Sequence, residues 1–268
     1  MSEPINENVQ RDIEHVADLL RDANDILFIT GAGVSADSGL PTYRGTAGLY
    51  TNGFTDEGMP IEEVLSGPMF ERRPDLVWKY LLEVGRSAYE AKPNRAHEVI
   101  AAMEARFNRV CVFTQNIDDL HNQAGSSHVM EIHGNMRRLF CTYCGLDEDL
   151  DVGRFADHKD DASLPPRCHK CEGVMRPTVV LFNEMLPVEV LRQFEAEQTR
   201  GFDVVFSVGT TSVFPYIAAP FMLASSRGIP TIEINPSETE VSQFAQIRIP
   251  LGAAQAMDAI WQALDGTT

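Results

Sequence analysis

Ile26-Leu27-Phe28-Ile29-Thr30-Gly31-Ala32-Gly33-Val34-Ser35 is the stretch on which the fold turns. A short apolar run ends abruptly in two glycines, the pattern of a buried parallel strand feeding a tight turn. Glycine lets the backbone turn sharply and approach a pyrophosphate, and a following helix would offer free N–H groups to it. Gly31-x-Gly33-x-x-Ala36 matches the dinucleotide fingerprint in form. Two plainer readings compete with it: a hydride-transfer site, or a tight turn with no ligand. A hydride-transfer site needs an acidic residue closing the next strand, about 20 residues on. That stretch, Pro41 to Tyr50, reads as a loop, and Asp56 and Glu57 follow no strand signal. A dinucleotide site is kept and a dehydrogenase is disfavoured.

Outward from this point the chain alternates. Residues 9–23 carry an apolar helical face (Ile13, Val16, Ala17, Leu19, Leu20). Residues 40–75 are rich in Gly, Pro and Thr and read as a long loop with short helices. Helices are expected at 76–91 and 94–107, and a strand at Val110–Phe113. Later come strands at Val179–Phe182, Val204–Val208 and Thr231–Ile234, with helices near 187–199, 215–227 and 253–264. The expectation is an α/β fold, a Rossmann-like parallel sheet covered by helices on both faces, with a small zinc-binding domain. Residues 1–40, 92–136 and 176–268 would form the large part. Residues 41–91 would form a cofactor loop and helical insertion, and 137–175 an inserted zinc module.

That module holds Cys141, Cys144, Cys168 and Cys171, two Cys-x-x-Cys pairs 23 residues apart. Four thiolates suit tetrahedral zinc, and four protein ligands close its shell, so the metal would be structural. A redox pair is the competing reading, but such a pair normally sits alone at a helix start. The fifth cysteine, Cys111, lies in an apolar run and reads as a strand residue.

The chain has 268 residues, 44% of them hydrophobic, and a formal charge of −17. It is long enough for one large domain, or a domain and a small module. Such an acidic surface repels nucleic acid and anionic membranes. It could attract lysine-rich peptides, or serve solubility alone. No apolar run is long enough to span a membrane, and the polar, acidic N-terminus does not resemble a secretory signal. A cytoplasmic protein is expected, monomeric or weakly oligomeric.

Several motifs, in order, resemble the sirtuin family: Gly31-Ala32-Gly33-Val34-Ser35 with Gly39 to Arg44, Thr114-Gln115-Asn116-Ile117-Asp118, Ile132-His133-Gly134, Arg176 to Glu184, Gly209-Thr210-Thr211, and Ile234-Asn235-Pro236. The resemblance covers roughly residues 20–260. It implies NAD and acyl-lysine meeting in a cleft between the large domain and the small one. It implies an NAD-dependent protein-lysine deacylase that yields nicotinamide, O-acyl-ADP-ribose and free lysine. His133 would be the general base acting on the ribose hydroxyls, a task that a neutral imidazole suits near pH 7. Asp118 would bond the nicotinamide amide, Asn116 would orient the ribose or a water, and Gln115 would contact the ribose. Ile117 belongs to the same motif. Tyr43 and Arg44 lie on the cofactor loop, where a guanidinium fork suits the diphosphate. Gly31, Ala32, Gly33, Ser35, Gly209, Thr210, Thr211, Asn235 and Ala253 would complete the phosphate and adenosine contacts.

Val180 and Phe182 would line the substrate cleft, with the peptide added as a strand. The bland reading of both is strand core. Desuccinylating members carry Tyr-x-x-Arg where this chain has Leu81 and Val84. The expected acyl pocket is therefore apolar, favouring acetyl-lysine, unless Arg86 swings inward. The other histidines read as surface or packing residues. Asn183 stands where glycine is usual, and Pro215 comes one place early. An ADP-ribosyltransferase or NAD hydrolase on the same fold is the rival activity.

Overall fold

The computed structural model describes residues 5–41, 54–150 and 164–266. Helix α1 (Glu7–Asp22) is capped by Asn6, whose side chain accepts from the N–H groups of Asn8 and Val9. It leads into β1 (Asp25–Thr30), the apolar run quoted above, and then a 3-10 helix at Ala32–Ser38. Two short helices follow, α2 (Ile61–Val64) and α3 (Gly67–Arg72), then the long α4 (Pro74–Glu90) and α5 (Arg95–Met103). Next come β2 (Arg109–Thr114), α6 (Leu120–Gln123) and β3 (Val129–Glu131). Three strands belong to the cysteine region: β4 (Arg138–Cys141), β5 (Asp147–Asp149) and β6 (Met175–Pro177). The chain finishes with α7 (Val188–Arg200), β7 (Val204–Val208), α8 (Pro215–Ser226), β8 (Thr231–Ile234), β9 (Ile247–Ile249) and α9 (Ala253–Asp265).

The main sheet has the order β3-β2-β1-β7-β8-β9, all parallel. Its chain path reverses between β1 and β7, the switch point at which open α/β sheets bind ligands. Strand alternation sorts the apolar side chains onto two faces. Ile26, Phe28, Val110, Val112, Val204 and Phe206 pack with α1, α5 and α9. Leu27, Ile29, Cys111, Phe113 and Val205 pack with α7 and α8. Phe28 stacks on Phe206 and Phe113 on Phe194. Cys111 is fully buried, as its run implied, and burial pushes its thiol up to about 11.

A third core lies apart from these two. It joins α2, α3 and α4 to Cys168 and to Leu139, Cys141 and Met175 of the small sheet, whose order is β5-β4-β6. Trp78 on α4 is fully buried there and donates its indole N–H to the carbonyl of Met175, 2.8 Å away.

One expected strand needs correction, and some short strands are additions. Val179–Phe182 is not a strand of the main sheet. The N–H of Val180 goes to His133 and that of Phe182 to Leu65, two unrelated segments, so no ladder forms. An apolar run reads alike in a strand and in a buried extended connector. The strand lies instead at Met175–Pro177, in the small sheet. Lastly, β3 and β9 were not anticipated, because three residues carry too little alternation to read.

Candidate active site at the switch point

The glycine loop leaves β1 and crosses the start of the loop that leaves β7. A Cβ on Gly31 would meet Thr210 Cβ at 2.7 Å, and one on Gly33 would meet Gly209 Cα at 2.7 Å. Gly209 is itself left-handed, and a Cβ there would meet the backbone N of Val34 at 2.3 Å. The loops approach so closely, backbone on backbone at Gly33 and Gly209 and against the Thr210 Cβ at Gly31, that only glycine fits. The Gly33 N–H donates to the Gly209 carbonyl at 2.7 Å and locks the crossing. Ala32 opens the 3-10 helix, which ends at left-handed Gly39.

Residues 115–118 emerge from β2 beside this crossing. Gln115 Nε2 donates to Thr210 Oγ1 at 2.7 Å. Asn116 Nδ2 donates to the Gly31 carbonyl and to Ser35 Oγ, both at 3.1 Å. Ser35 Oγ in turn donates to Asp118 Oδ2 at 2.7 Å, and the Leu120 N–H donates to Asp118 Oδ1 at 3.0 Å. Burial raises the Asp118 carboxyl above its ordinary value, opposed by those hydrogen bonds. Ile117 is half-buried, and its carbonyl accepts from the Met136 N–H. Asn235 Nδ2 donates to the Thr210 carbonyl at 3.2 Å. Thr211 is exposed. Ala253 is buried at the first turn of α9, with its methyl in the core.

His133 follows β3, and Gly134 after it is left-handed. A Cβ on Gly134 would lie 1.9 Å from the Thr178 carbonyl oxygen, which explains the glycine after the histidine. His133 Nδ1 lies 3.0 Å from the Gln115 carbonyl. A carbonyl only accepts, so Nδ1 carries the proton and Nε2 keeps its lone pair. Burial lowers the imidazole's affinity for a second proton, with the Gln115 carbonyl opposing. At pH 7 the ring is a neutral base.

Two histidines that read as packing residues prove to stand behind this site. His97 and His121 are buried and meet edge to face at 4.8 Å. His97 Nδ1 accepts from the Asn94 N–H, leaving Nε2–H toward Ser35 Oγ at 3.5 Å. His121 Nε2 lies 3.0 Å from Thr30 Oγ1. Burial drops His97 to about 4 and His121 well below its usual value, so both stay neutral. The Asn94 capping position before a helix was the available signal for His97.

Val180 and Phe182 are half-buried on the segment after β6. Arg176, itself buried, pins that segment by a two-pronged contact with Glu184, at 2.6 and 2.9 Å, and by donating to the Val179 carbonyl. Asn183 has φ +64°, so the residue standing in glycine's usual place is one that tolerates the left-handed region. Leu81 is buried in the third core, and Val84 is half-buried. An apolar cavity that reaches Asp118 is lined by Trp78, Leu82, Gly85, Arg86, Tyr89 and Met136, among others. Tyr80 is buried, with its hydroxyl on the Glu57 carboxylate and accepting from the Asp56 N–H. Tyr43 and Arg44 lie outside the described residues.

The four cysteine sulfurs lie within 4.8 Å of one another, with Cys141–Cys171 at 3.5 Å and Cys144–Cys168 at 3.7 Å. A disulfide would need about 2.05 Å. A tetrahedron with metal–sulfur bonds of ~2.3 Å has edges of about 3.8 Å, which these distances fit. The N–H groups of Tyr143, Cys144 and Lys170 point at Cys141 and Cys168 Sγ, as thiolates require. The donor set is that of a structural zinc site.

Residues 31–215 match the model of the Sir2 family. The chain belongs to the Sir2 family. It is 47% identical over 250 residues to NAD-dependent protein deacylase 2 of Pseudomonas aeruginosa, covering 92% of this chain and 95% of that one. A solved Sir2 homologue in complex with NAD superposes with a TM-score of 0.80 at 31% identity, covering 100% of this chain and 97% of the other. A Sir2 structure with a p53 peptide and NAD+ also has a TM-score of 0.80, at 26% identity over 96% of this chain and 99% of the other. Among the described residues, no helix of this Sir2 protein is long and apolar enough to cross a membrane.

Proposed function

We propose that this chain removes acyl groups, acetyl foremost, from protein lysines in an NAD-dependent reaction giving nicotinamide, O-acyl-ADP-ribose and free lysine. The observation that carries the reading is the His133 ring. Its Nδ1 proton is committed to Gln115, which leaves the lone pair on Nε2, the atom that would take the proton. The site is adjacent to a glycine cradle that a Cβ would fill.

When bound, NAD supplies the sugar carbon that receives the acyl oxygen. The chain's own residues do the rest. Gly31, Ala32, Gly33, Ser35, Gly209, Thr210, Thr211 and Asn235 would hold the dinucleotide, with Ala253 behind the adenine end and Tyr43 and Arg44 over the diphosphate. Ile117 and Asp118 would face the nicotinamide. The Ser35–Asn116–Asp118 chain fixes the orientation of each polar group before ligand arrives, so little reordering is needed on binding. Val180 and Phe182 would flank the lysine stem, and the Arg176–Glu184 clamp keeps that edge extended. The four cysteines would hold one zinc, which supplies rigidity and takes no part in the chemistry. Residues 1–40, 92–136 and 176–268 would be one wall of the cleft, with 41–91 and 137–175 the other. Thiolate ligands suit a reducing, cytoplasmic setting. Substrates would be acylated-lysine proteins rather than nucleic acid or membrane. A monomeric or weakly oligomeric state belongs to the same reading.

His133→Ala should lower turnover by about 10²–10⁴-fold, the usual worth of a general base, while NAD binding persists. Full activity in that variant would defeat the base assignment. Nicotinamide release should require an acyl-lysine peptide. Release without one would favour the hydrolase or ADP-ribosyltransferase reading. With apolar residues at Leu81 and Val84, acetyl-lysine should be processed faster than succinyl-lysine. The reverse would point to Arg86, which lines the apolar cavity reaching Asp118.

A further inference from the structure

His133 Nε2 is not open to the cleft. The Tyr216 hydroxyl lies 2.8 Å from it. Since Nε2 holds the lone pair, the phenol donates. Tyr216 is half-buried, and burial raises its hydroxyl above the ordinary value, so it remains a donor at neutral pH. We propose that Tyr216 is a displaceable cap on His133, its hydroxyl occupying the place of the sugar hydroxyl that the base must receive. This rests on the reading of His133 as the base.

Three further observations carry the inference. First, the cap is held by local structure. Pro215 opens α8 at a position where its missing N–H costs nothing, which sets Tyr216 on the first turn facing the histidine. Phe214 stacks on Tyr216 at 5.5 Å and meets the His133 ring edge-on at 6.0 Å. The early proline is thus what brings a hydroxyl to Nε2. Second, the turn that carries Tyr216 is loosened. Pro220 lies inside α8, four residues on, so the Tyr216 carbonyl has no N–H to accept from at its intrahelical position. Third, the geometry is that of a substrate hydroxyl: one O–H donor, 2.8 Å from Nε2 and its lone pair, on the ring nitrogen opposite the one that Gln115 holds. Two donors cannot share that lone pair, so sugar and phenol exclude each other. The groups packed on the ring are Gln115, Phe214 and Tyr216, and no carboxylate or cation contributes to its shift among the described residues.

The test uses the zinc-loaded protein and Tyr216→Phe, which keeps the ring stack and removes the donor. A donor to the lone pair favours the neutral imidazole, so its loss should raise the His133 pKa by about 0.4–1 unit, read from ring-proton NMR without NAD. At pH 8, where the imidazole is neutral in both proteins, the KM for NAD should fall about 2- to 10-fold, raising kcat/KM. Tyr216→Leu should move KM the same way, separating the hydroxyl from the packing of the ring. An unmoved His133 pKa would overturn the contact. An unmoved KM would overturn the competition. A fall in kcat/KM at pH 8 would make Tyr216 a helper in turnover and also overturn the cap. The NMR arm reads the contact whether or not the protein turns over. A His133→Ala variant that still deacylates would therefore sink the base assignment and leave that arm standing.

Discussion

The two walls of the proposed cleft are built by different physics. The sheet wall rests on six parallel strands with apolar side chains buried on both faces, and its site residues sit on the strand ends. The opposite wall has three short strands, the helices α2, α3 and α4 and four sulfurs, and the Arg176–Glu184 clamp holds the segment that leads out of it. Hydrophobic burial scales with area, so a large sheet is stable on its own terms. A small irregular layer needs staples, and here those are a metal and an ion pair. The difference teaches that rigidity at one cleft can come from two sources that fail under different conditions.

Zinc removal should break the comparison most. Structural zinc binding is worth about 10–16 kcal/mol in small peptides, and here it falls on one wall. The chain has two tryptophans, conveniently divided: Trp78 in the small core and Trp261 on α9 against the sheet. On chelation the Trp78 indole N–H signal should shift or vanish by NMR while that of Trp261 stays. Loss of both together would mean the walls fold as one unit.

The clamp comes next. Arg176→Ala leaves Glu184 partly buried without its partner. The expected cost is about 3 kcal/mol, the low end for a broken buried pair because Glu184 is partly exposed. Urea unfolding would measure it, and the KM for peptide should rise with that for NAD little changed. A neutral result would remove the clamp from the list of staples.

The smallest effect lies at the seam. Glu131 ends β3 and accepts from Asn122 and Asn135; burial pushes its carboxyl up to about 7. A raised carboxyl pKa means the folded state holds a proton that the unfolded state has lost. Stability therefore falls as pH rises from about 4.5 to about 7 through this group. Glu131→Gln should raise the melting temperature by about 2–4 °C at pH 8, a ~1 kcal/mol gain, and change little at pH 4.5. Equal gains at both pH values would exclude titration as the cause.

Much of the sheet wall was legible because its signals are local. An apolar run into Gly31 and Gly33, or a pair of Cys-x-x-Cys knuckles, states its own geometry. The Sir2 motifs added His133, Asn116 and Asp118, which the fold gathers at one switch point. What stayed hidden depends on residues distant in sequence. Nothing near His97 or His121 says that they meet edge to face behind Ser35 and Thr30. Val179–Phe182 reads as a strand until its partners prove to be two separate segments. The resemblance puts Leu81 at the acyl pocket; burial of Leu81 in the third core, with Leu82 and Gly85 lining the cavity beside Asp118, depends on the turn of α4. Pro215 was visible as a departure, but its effect on Tyr216 needed the helix start.

One last consequence follows from Gly134 and Thr178. The chain leaves the sheet wall at His133 and returns at Val180, and those two residues are hydrogen-bonded to each other at 2.8 Å. The segment between them, which holds the four cysteines, therefore begins and ends at one place. A segment whose ends meet can be swapped, lengthened or replaced as a cassette without redrawing the sheet. His133, the proposed base, stands at that closure, outside the exchangeable segment.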